Sequence, residues 1–215
     1  YAMETRYRML PWQFGEYGDR RCFEIEEVCV QTSTMSFEEY LECRDFALIV
    51  AVFSSKQFDI VRRLVEEHGL SFFDYLMQIT KCIKMDNSSF SKVLCDHLHE
   101  VEEELFVTRE ELISYYELDE SYHQLLDGSI GDNLLRKYCT IMIYRGGMDI
   151  LNLAFDTLCQ MLSDQSVDGE AVNAIRDASR WAVAVRDFSK ILEPHDVGCG
   201  GKQLKLSYDA PRWYD

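Results

Sequence analysis

The hydrophobic and polar positions of this chain change their period twice. Residues 6–30 carry short alternating runs, "RYRML" and "RCFEIEEVCV", separated by "PWQFGEYGDR" with Pro11, Gly15 and Gly18. Alternation of β-branched and aromatic residues predicts a strand through Phe23, Ile25 and Val28–Val30, with Arg6–Leu10 as its candidate partner. At Ser36 the pattern becomes helical. In "QTSTMSFEEYLECRDFALIVAVF", Ser36 and Glu39 have the spacing of a capping box, in which hydroxyl and carboxylate satisfy each other's orphan backbone donors. Phe37, Tyr40, Leu41, Leu48 and Val52 share one helical face, and the closing "FALIVAVF" is apolar all round, as for a helix end buried on every side.

Later segments repeat the logic. Phe58, Val61, Leu64 and Val65 form a stripe ended by Gly69. Ser71 starts a helix with Phe72, Tyr75, Leu76 and Ile79 inward. A further helix follows Phe90, Val93, Leu94, Leu98, Val101 and Leu105. Thr108 and Glu111 make a second capping box, ahead of Leu112, Tyr115 and Tyr116. A stretch from about Asp132 to Leu162 is interrupted at Gly146-Gly147, where a bend or break is expected. A last helix covers about Gly169 to Ile191, with Val172, Ile175, Trp181, Val185 and Phe188 inward. "EPHDVGCGG" then reads as a loop, and Leu204, Leu206 and Tyr208 alternate as a short strand. The expected fold is mainly α: a multi-helix bundle with a small β element near the N-terminus and a short strand at the C-terminus. The expected division is a β-containing junction over 1–35, a helical domain over 36–193, and a loop with the C-terminal strand over 194–215.

Composition narrows the function classes. Hydrophobic residues make up 47% of the 215 and charged residues 28%, which is globular material with enough chain for a core. The net charge of −16 argues against nucleic acid and against an anionic membrane surface as partners, since both need clustered Lys and Arg. Solvated helix faces account for this acidity. Eight cysteines lie at irregular spacing without an export signal and read as reduced thiols, so the expected compartment is the cytoplasm. The opening at Tyr1 rather than Met reads as an excerpt of a longer protein or a tag remnant.

Candidate chemistry is sparse. Cys95-x-His97-x-His99 has metal-binding residue types, but side chains two apart on a helix diverge, so structural roles are expected. His195-x3-Cys199 is freer, yet two ligands do not make a site. "GCGG" at 198–201 lacks the Lys-Ser/Thr of a phosphate loop. The acids Glu26-Glu27 and Glu102-Glu103-Glu104 are assigned to a strand and to a solvated helix face. One polar group within the apolar framework is a candidate binding site: Tyr40 and Arg44 are one helical turn apart, and Thr34 and Ser36 lie at the helix start, a place that favours anions. Capping plus a surface arginine is the simpler account of the same residues.

These stretches carry a resemblance. Arg6, Arg8 and Pro11 (R-x-R-x-x-P), Gly15–Gly18, the acidic strand Glu24–Glu27 and the T-x-T-M-S-x-x-x-Y-x-x-x-R entry from Thr32 to Arg44 resemble the segment that follows the barrel in radical S-adenosylmethionine enzymes of the cobalamin-binding-domain type. The likeness covers about the first 55 residues, is faint through the middle helices, and returns in "LKLSYDAPRW". It implies an accessory C-terminal region that shapes or closes the substrate site of the preceding barrel domain. That family's catalysis depends on C-x3-C-x2-C, which holds a 4Fe–4S cluster and, through it, S-adenosylmethionine. No three cysteines here have that spacing, and the D-x-H-x-x-G of cobalamin binding is missing. The resemblance therefore implies no catalytic residue, metal or cofactor in this chain, and places the cluster, S-adenosylmethionine and cobalamin in the parent enzyme. The alternative is a freestanding acidic helical module that binds other proteins or dimerises through apolar helix faces; an autonomous metalloenzyme is a third reading.

Overall fold

The computed structural model describes residues 2–85, 89–164, 169–185 and 204–213. The candidates His195 and Cys199, the "GCGG" turn, Phe188 and the last helix beyond Val185 lie outside the described residues.

The protein is mainly α-helical, with one two-stranded antiparallel sheet at its start. Strands β1 (Glu4–Tyr17) and β2 (Arg20–Gln31) form a hairpin, closed by a two-residue turn at Gly18–Asp19. Both strands run further than the alternating pattern suggested. Pairing proceeds from Thr5↔Cys29 to Met9↔Ile25, breaks, and resumes from Phe14↔Phe23 to Tyr17↔Arg20. The break absorbs Pro11, which has no N–H to give to a ladder, and Trp12 sits there at φ 60°. Proline therefore marks a bulge inside the hairpin rather than its turn.

Helix α1 (Phe37–Phe53) begins as its sequence predicts. The Glu39 N–H donates to the Ser36 hydroxyl at 3.2 Å, and the Ser36 N–H donates to the Glu39 carboxylate at 2.7 Å. None of residues 46–53 is exposed. Ser36→Ala is expected to lower stability by about 1 kcal/mol, the usual effect of losing a cap, and urea midpoints measure it. An unchanged midpoint would mean that the box contributes nothing.

Among the described residues the remaining α-helices are α2 (Asp59–Glu67), α3 (Phe72–Met85), α4 (Ser89–Glu103), α5 (Arg109–Tyr116), α6 (Asp119–Asp127), α7 (Leu134–Thr140), α8 (Gly146–Asp164) and α9 (Gly169–Val185). A π-helical turn over Ile141–Arg145 precedes α8, and Gly147 has the non-helical angles φ 48°, ψ −117°. The expected break at Gly146-Gly147 is therefore present. Val185, expected to face inward, is exposed.

The chain divides into two compact units, Tyr1–Leu48 with Val93–Tyr138, and Ile49–Lys92 with Cys139–Asp215. In the first, Met9 and Phe23 of the hairpin meet Leu112, Tyr116, Tyr122 and Leu125 of α5 and α6. The rings of Phe23 and Tyr116 lie 5.7 Å apart, and Arg21 stacks 4.3 Å above Tyr122. In the second, α2, α3, α8 and α9 bury Leu64, Tyr75, Ile79, Phe155, Leu158 and Ile175. The buried Tyr75 hydroxyl donates to the Ala154 carbonyl at 2.9 Å, which satisfies a group that is costly to bury unpaired.

The C-terminal strand expected at Leu204–Tyr208 is not formed. Residues 204–209 are irregular and lead into a 3-10 turn at Ala210–Trp213. The backbone N–H groups of Ser207 and Tyr208 donate to the Asp177 carboxylate on α9, so a side chain takes the donors that a neighbouring strand would have used.

Candidate functional site

Of the four candidate residues, the structure brings Tyr40 and Arg44 together and leaves Thr34 and Ser36 at the helix entrance. Thr34 is exposed, and its N–H donates to the Thr32 hydroxyl. The Ser36 hydroxyl accepts the Glu39 N–H. Tyr40 and Arg44 are half-buried, one turn apart on α1, in a polar cluster with residues from elsewhere in the first unit.

Arg8 of β1 is the centre of that cluster. Its Nε donates to Glu26 of β2, and one terminal nitrogen donates to Glu104 at 2.9 Å. Burial alone would lower the arginine's pKa; the charges and hydrogen bonds of Glu104 and Glu26 more than offset that and raise it. Burial raises the Tyr40 phenol, opposed by the nearby positive charges of Arg44 and Arg8. Two guanidiniums, two carboxylates and a phenol thus gather in a part-buried space. Among the described residues, nothing accepts a hydrogen bond from the buried Nε of Arg44.

The acidic run places Glu104 on a solvated helix face, and the structure corrects this. Glu102 and Glu103 are exposed, whereas Glu104 lies just past the end of α4 with its side chain 19% exposed and engaged by Arg8. Burial pushes its carboxyl above the usual glutamate range, against the pull of Arg8. The folded state then binds this proton more tightly than the unfolded chain. The stability involved is full below the ordinary carboxyl value and is lost as pH rises through the elevated one. Glu104→Gln is therefore expected to gain stability relative to the native protein between about pH 4 and about pH 7, as read from denaturant midpoints at both. A difference independent of pH would exclude burial as the dominant influence on this group.

Beyond Glu104 opens a cleft of about 430 Å³. Met9, Phe106, Tyr115, Tyr116 and Ile130 form its apolar side, and Glu100, Glu103, Glu104, Asp132 and Lys137 its polar side. Phe106, Tyr115 and Tyr116 pack as one aromatic wall, with ring centres 5.1 to 5.8 Å apart. Burial raises the Tyr116 phenol well above the tyrosine range, with Tyr115 and Glu104 adding to it. Lys137 is already occupied: its ammonium donates to both Glu100 oxygens, at 2.6 and 2.7 Å, and Tyr138 donates to the same carboxylate.

The Cys95-x-His97-x-His99 run diverges as helix geometry requires. Cys95 and His99 are exposed, while His97 is fully buried, 3.5 Å from Asp45 and edge-on to Tyr138. Among the described residues, no group of three or more His, Cys, Asp or Glu could hold a metal ion. The seven described cysteines are free thiols. No described helix is long and apolar enough to cross a membrane.

Sequence reasoning missed Glu104, Tyr115 and Asp132 as site residues. The Thr108 cap marks the start of α5 in the sequence, but the contact that brings Phe106 to the hairpin is a backbone pairing that no local motif encodes. The Tyr7 N–H donates to the Phe106 carbonyl at 2.9 Å and the Phe106 N–H returns to Tyr7 at 2.8 Å. Comparison of the chain with protein-family models, curated proteins and solved structures finds no match.

Proposed function

We propose that this chain is a non-catalytic accessory domain of a radical S-adenosylmethionine enzyme, which shapes or closes the substrate site of the barrel preceding it. One observation supports this reading. Arg8, Glu26, Tyr40 and Arg44 stand in separate stretches of the resembling segment, and in the fold they meet around Glu104. A hairpin and a capped helix that lock through such a cluster make a rigid edge, and positioning residues work best on rigid elements. In this reading the cluster orients the edge towards the barrel, while the iron–sulfur cluster and S-adenosylmethionine belong to the barrel.

The test begins with the reading frame upstream of Tyr1, which on this proposal encodes C-x3-C-x2-C. In the resulting full-length enzyme, Arg44→Ala is expected to lower substrate turnover at least tenfold, about 1.4 kcal/mol of transition-state stabilisation, with little change in unfolding midpoint. Cleavage of S-adenosylmethionine without substrate should persist. A frame without that motif, or an Arg44→Ala enzyme with normal turnover, would overturn the proposal.

One feature favours a freestanding interaction module instead. Met3, just ahead of β1, and Trp12 and Tyr17 on β1 are 65%, 54% and 75% exposed, and large exposed apolar side chains suit a protein contact. A frame lacking the cysteine motif, together with a concentration-dependent mass by light scattering, would support that reading.

A further inference from the structure

The geometry points to a second function for the first unit: the cleft beside Glu104 is a binding site for a small organic cation, a protonated amine carried on an apolar body. This stands whether or not the accessory-domain reading does, because it uses only the cleft.

Its volume of about 430 Å³ is that of a small-molecule site. Its two sides differ in chemistry. The apolar side has a wall of three aromatic rings and the Met9 and Ile130 side chains, which suits a hydrocarbon or aromatic body. Tyr115 presents part of this wall to solvent, at 39% exposure. The polar side brings Glu100, Glu103, Glu104 and Asp132 against a single lining ammonium, Lys137, which Glu100 already engages through both oxygens. Arg8 reaches Glu104 from the hairpin, and the exposed Glu103 lies 3.3 Å from His99. Asp132 accepts the Asn133 N–H through one oxygen, which leaves the other for a ligand. Carboxylates therefore outnumber the cations that face them, and the chain's net charge of −16 adds to the attraction for positive ligands. Aromatic faces and carboxylates both favour an ammonium over a neutral or anionic group of the same shape. An anion would meet these carboxylates and a single lining ammonium that Glu100 already engages.

The probe is 2-phenylethylammonium, titrated into the whole chain by isothermal calorimetry at low salt, with neutral 2-phenylethanol and anionic phenylacetate as matched controls. Saturable one-site binding of the cation is expected, at least tenfold tighter than the alcohol, with no binding of phenylacetate, and weakened by added salt. Asp132→Asn, which keeps an acceptor for the Asn133 N–H, and Tyr115→Ala, at an exposed position, should each reduce affinity about tenfold. Glu24→Gln, on the exposed surface of β2, should leave it unchanged. Equal affinity for the amine and the alcohol overturns the proposal, as does cation binding that neither Asp132→Asn nor Tyr115→Ala alters. Absence of saturable binding at millimolar concentration overturns it too. If Tyr115→Ala unfolds the protein, the Asp132→Asn result decides alone.

Discussion

Arg8→Ala is expected to lower the unfolding free energy by about 2–4 kcal/mol, because it leaves the Glu26 and Glu104 carboxylates partly buried with their shared cation gone. Complete burial would give the upper part of the usual range for breaking such a pair. The side chains of Arg8 and Glu104 keep about a fifth of their exposure, 21% and 19%, so solvent reduces the loss. The double variant Arg8→Ala with Glu104→Gln should recover part of it, since a neutral amide is less costly to bury unpaired than a carboxylate. Denaturant titration of the four proteins of this cycle gives the coupling. A single-variant loss below about 0.5 kcal/mol would place the pair among solvated surface contacts and remove the rigid centre of the cluster.

Gly131→Val is expected to lower stability by about 3 kcal/mol. Gly131 has φ +77°, where a β-branched residue is strained, and an added Cβ would come within 2.5 Å of Leu125 Cδ2 and 2.9 Å of Met9 Cε. Backbone strain and crowding thus act together at the junction of the cleft and the hairpin core. They can be separated: Leu125→Ala in the Gly131→Val background should relieve the crowding and leave the strain. If the double variant is no more stable than expected from adding the two single losses, crowding contributes nothing and the backbone angle carries the effect.

Local signals were legible in the sequence where one short segment contains all the physics. The Ser36–Glu39 box closes on itself within four residues, and Thr108 accepts the Glu111 N–H as its spacing predicts. The return arm of that second box goes to Val107 rather than Thr108, a difference that spacing alone does not encode. Apolar stripes such as Phe58, Val61, Leu64 and Val65 are buried as read. Signals that depend on a distant partner were not legible. Pro11 looks like punctuation until the Trp12 N–H is seen to donate to the Gly131 carbonyl, which holds the bulge within the hairpin. Leu204, Leu206 and Tyr208 alternate like a strand, but Asp177, some thirty residues earlier, takes the backbone donors. Glu104 belongs to an acidic run in sequence and differs from Glu102 and Glu103 only because Arg8 reaches it. The candidate site was half legible for the same reason: Tyr40 and Arg44 share a helix face, whereas Arg8, Glu26 and Glu104 join them only through tertiary pairing.

The bond from Trp12 to Gly131 has a consequence for spectroscopy. The Trp12 amide lies in the gap of the β1–β2 ladder, and its partner is the Gly131 carbonyl, 3.2 Å away on a residue that lines the cleft. Amides protected by a single contact exchange through local opening, at rates set by that contact rather than by global unfolding. Deuterium uptake at this one position therefore times the opening of the 129–132 segment, while amides bonded within the β1–β2 ladder time the hairpin as a whole. A single residue in the hairpin thus serves as a built-in clock for the wall of the cleft.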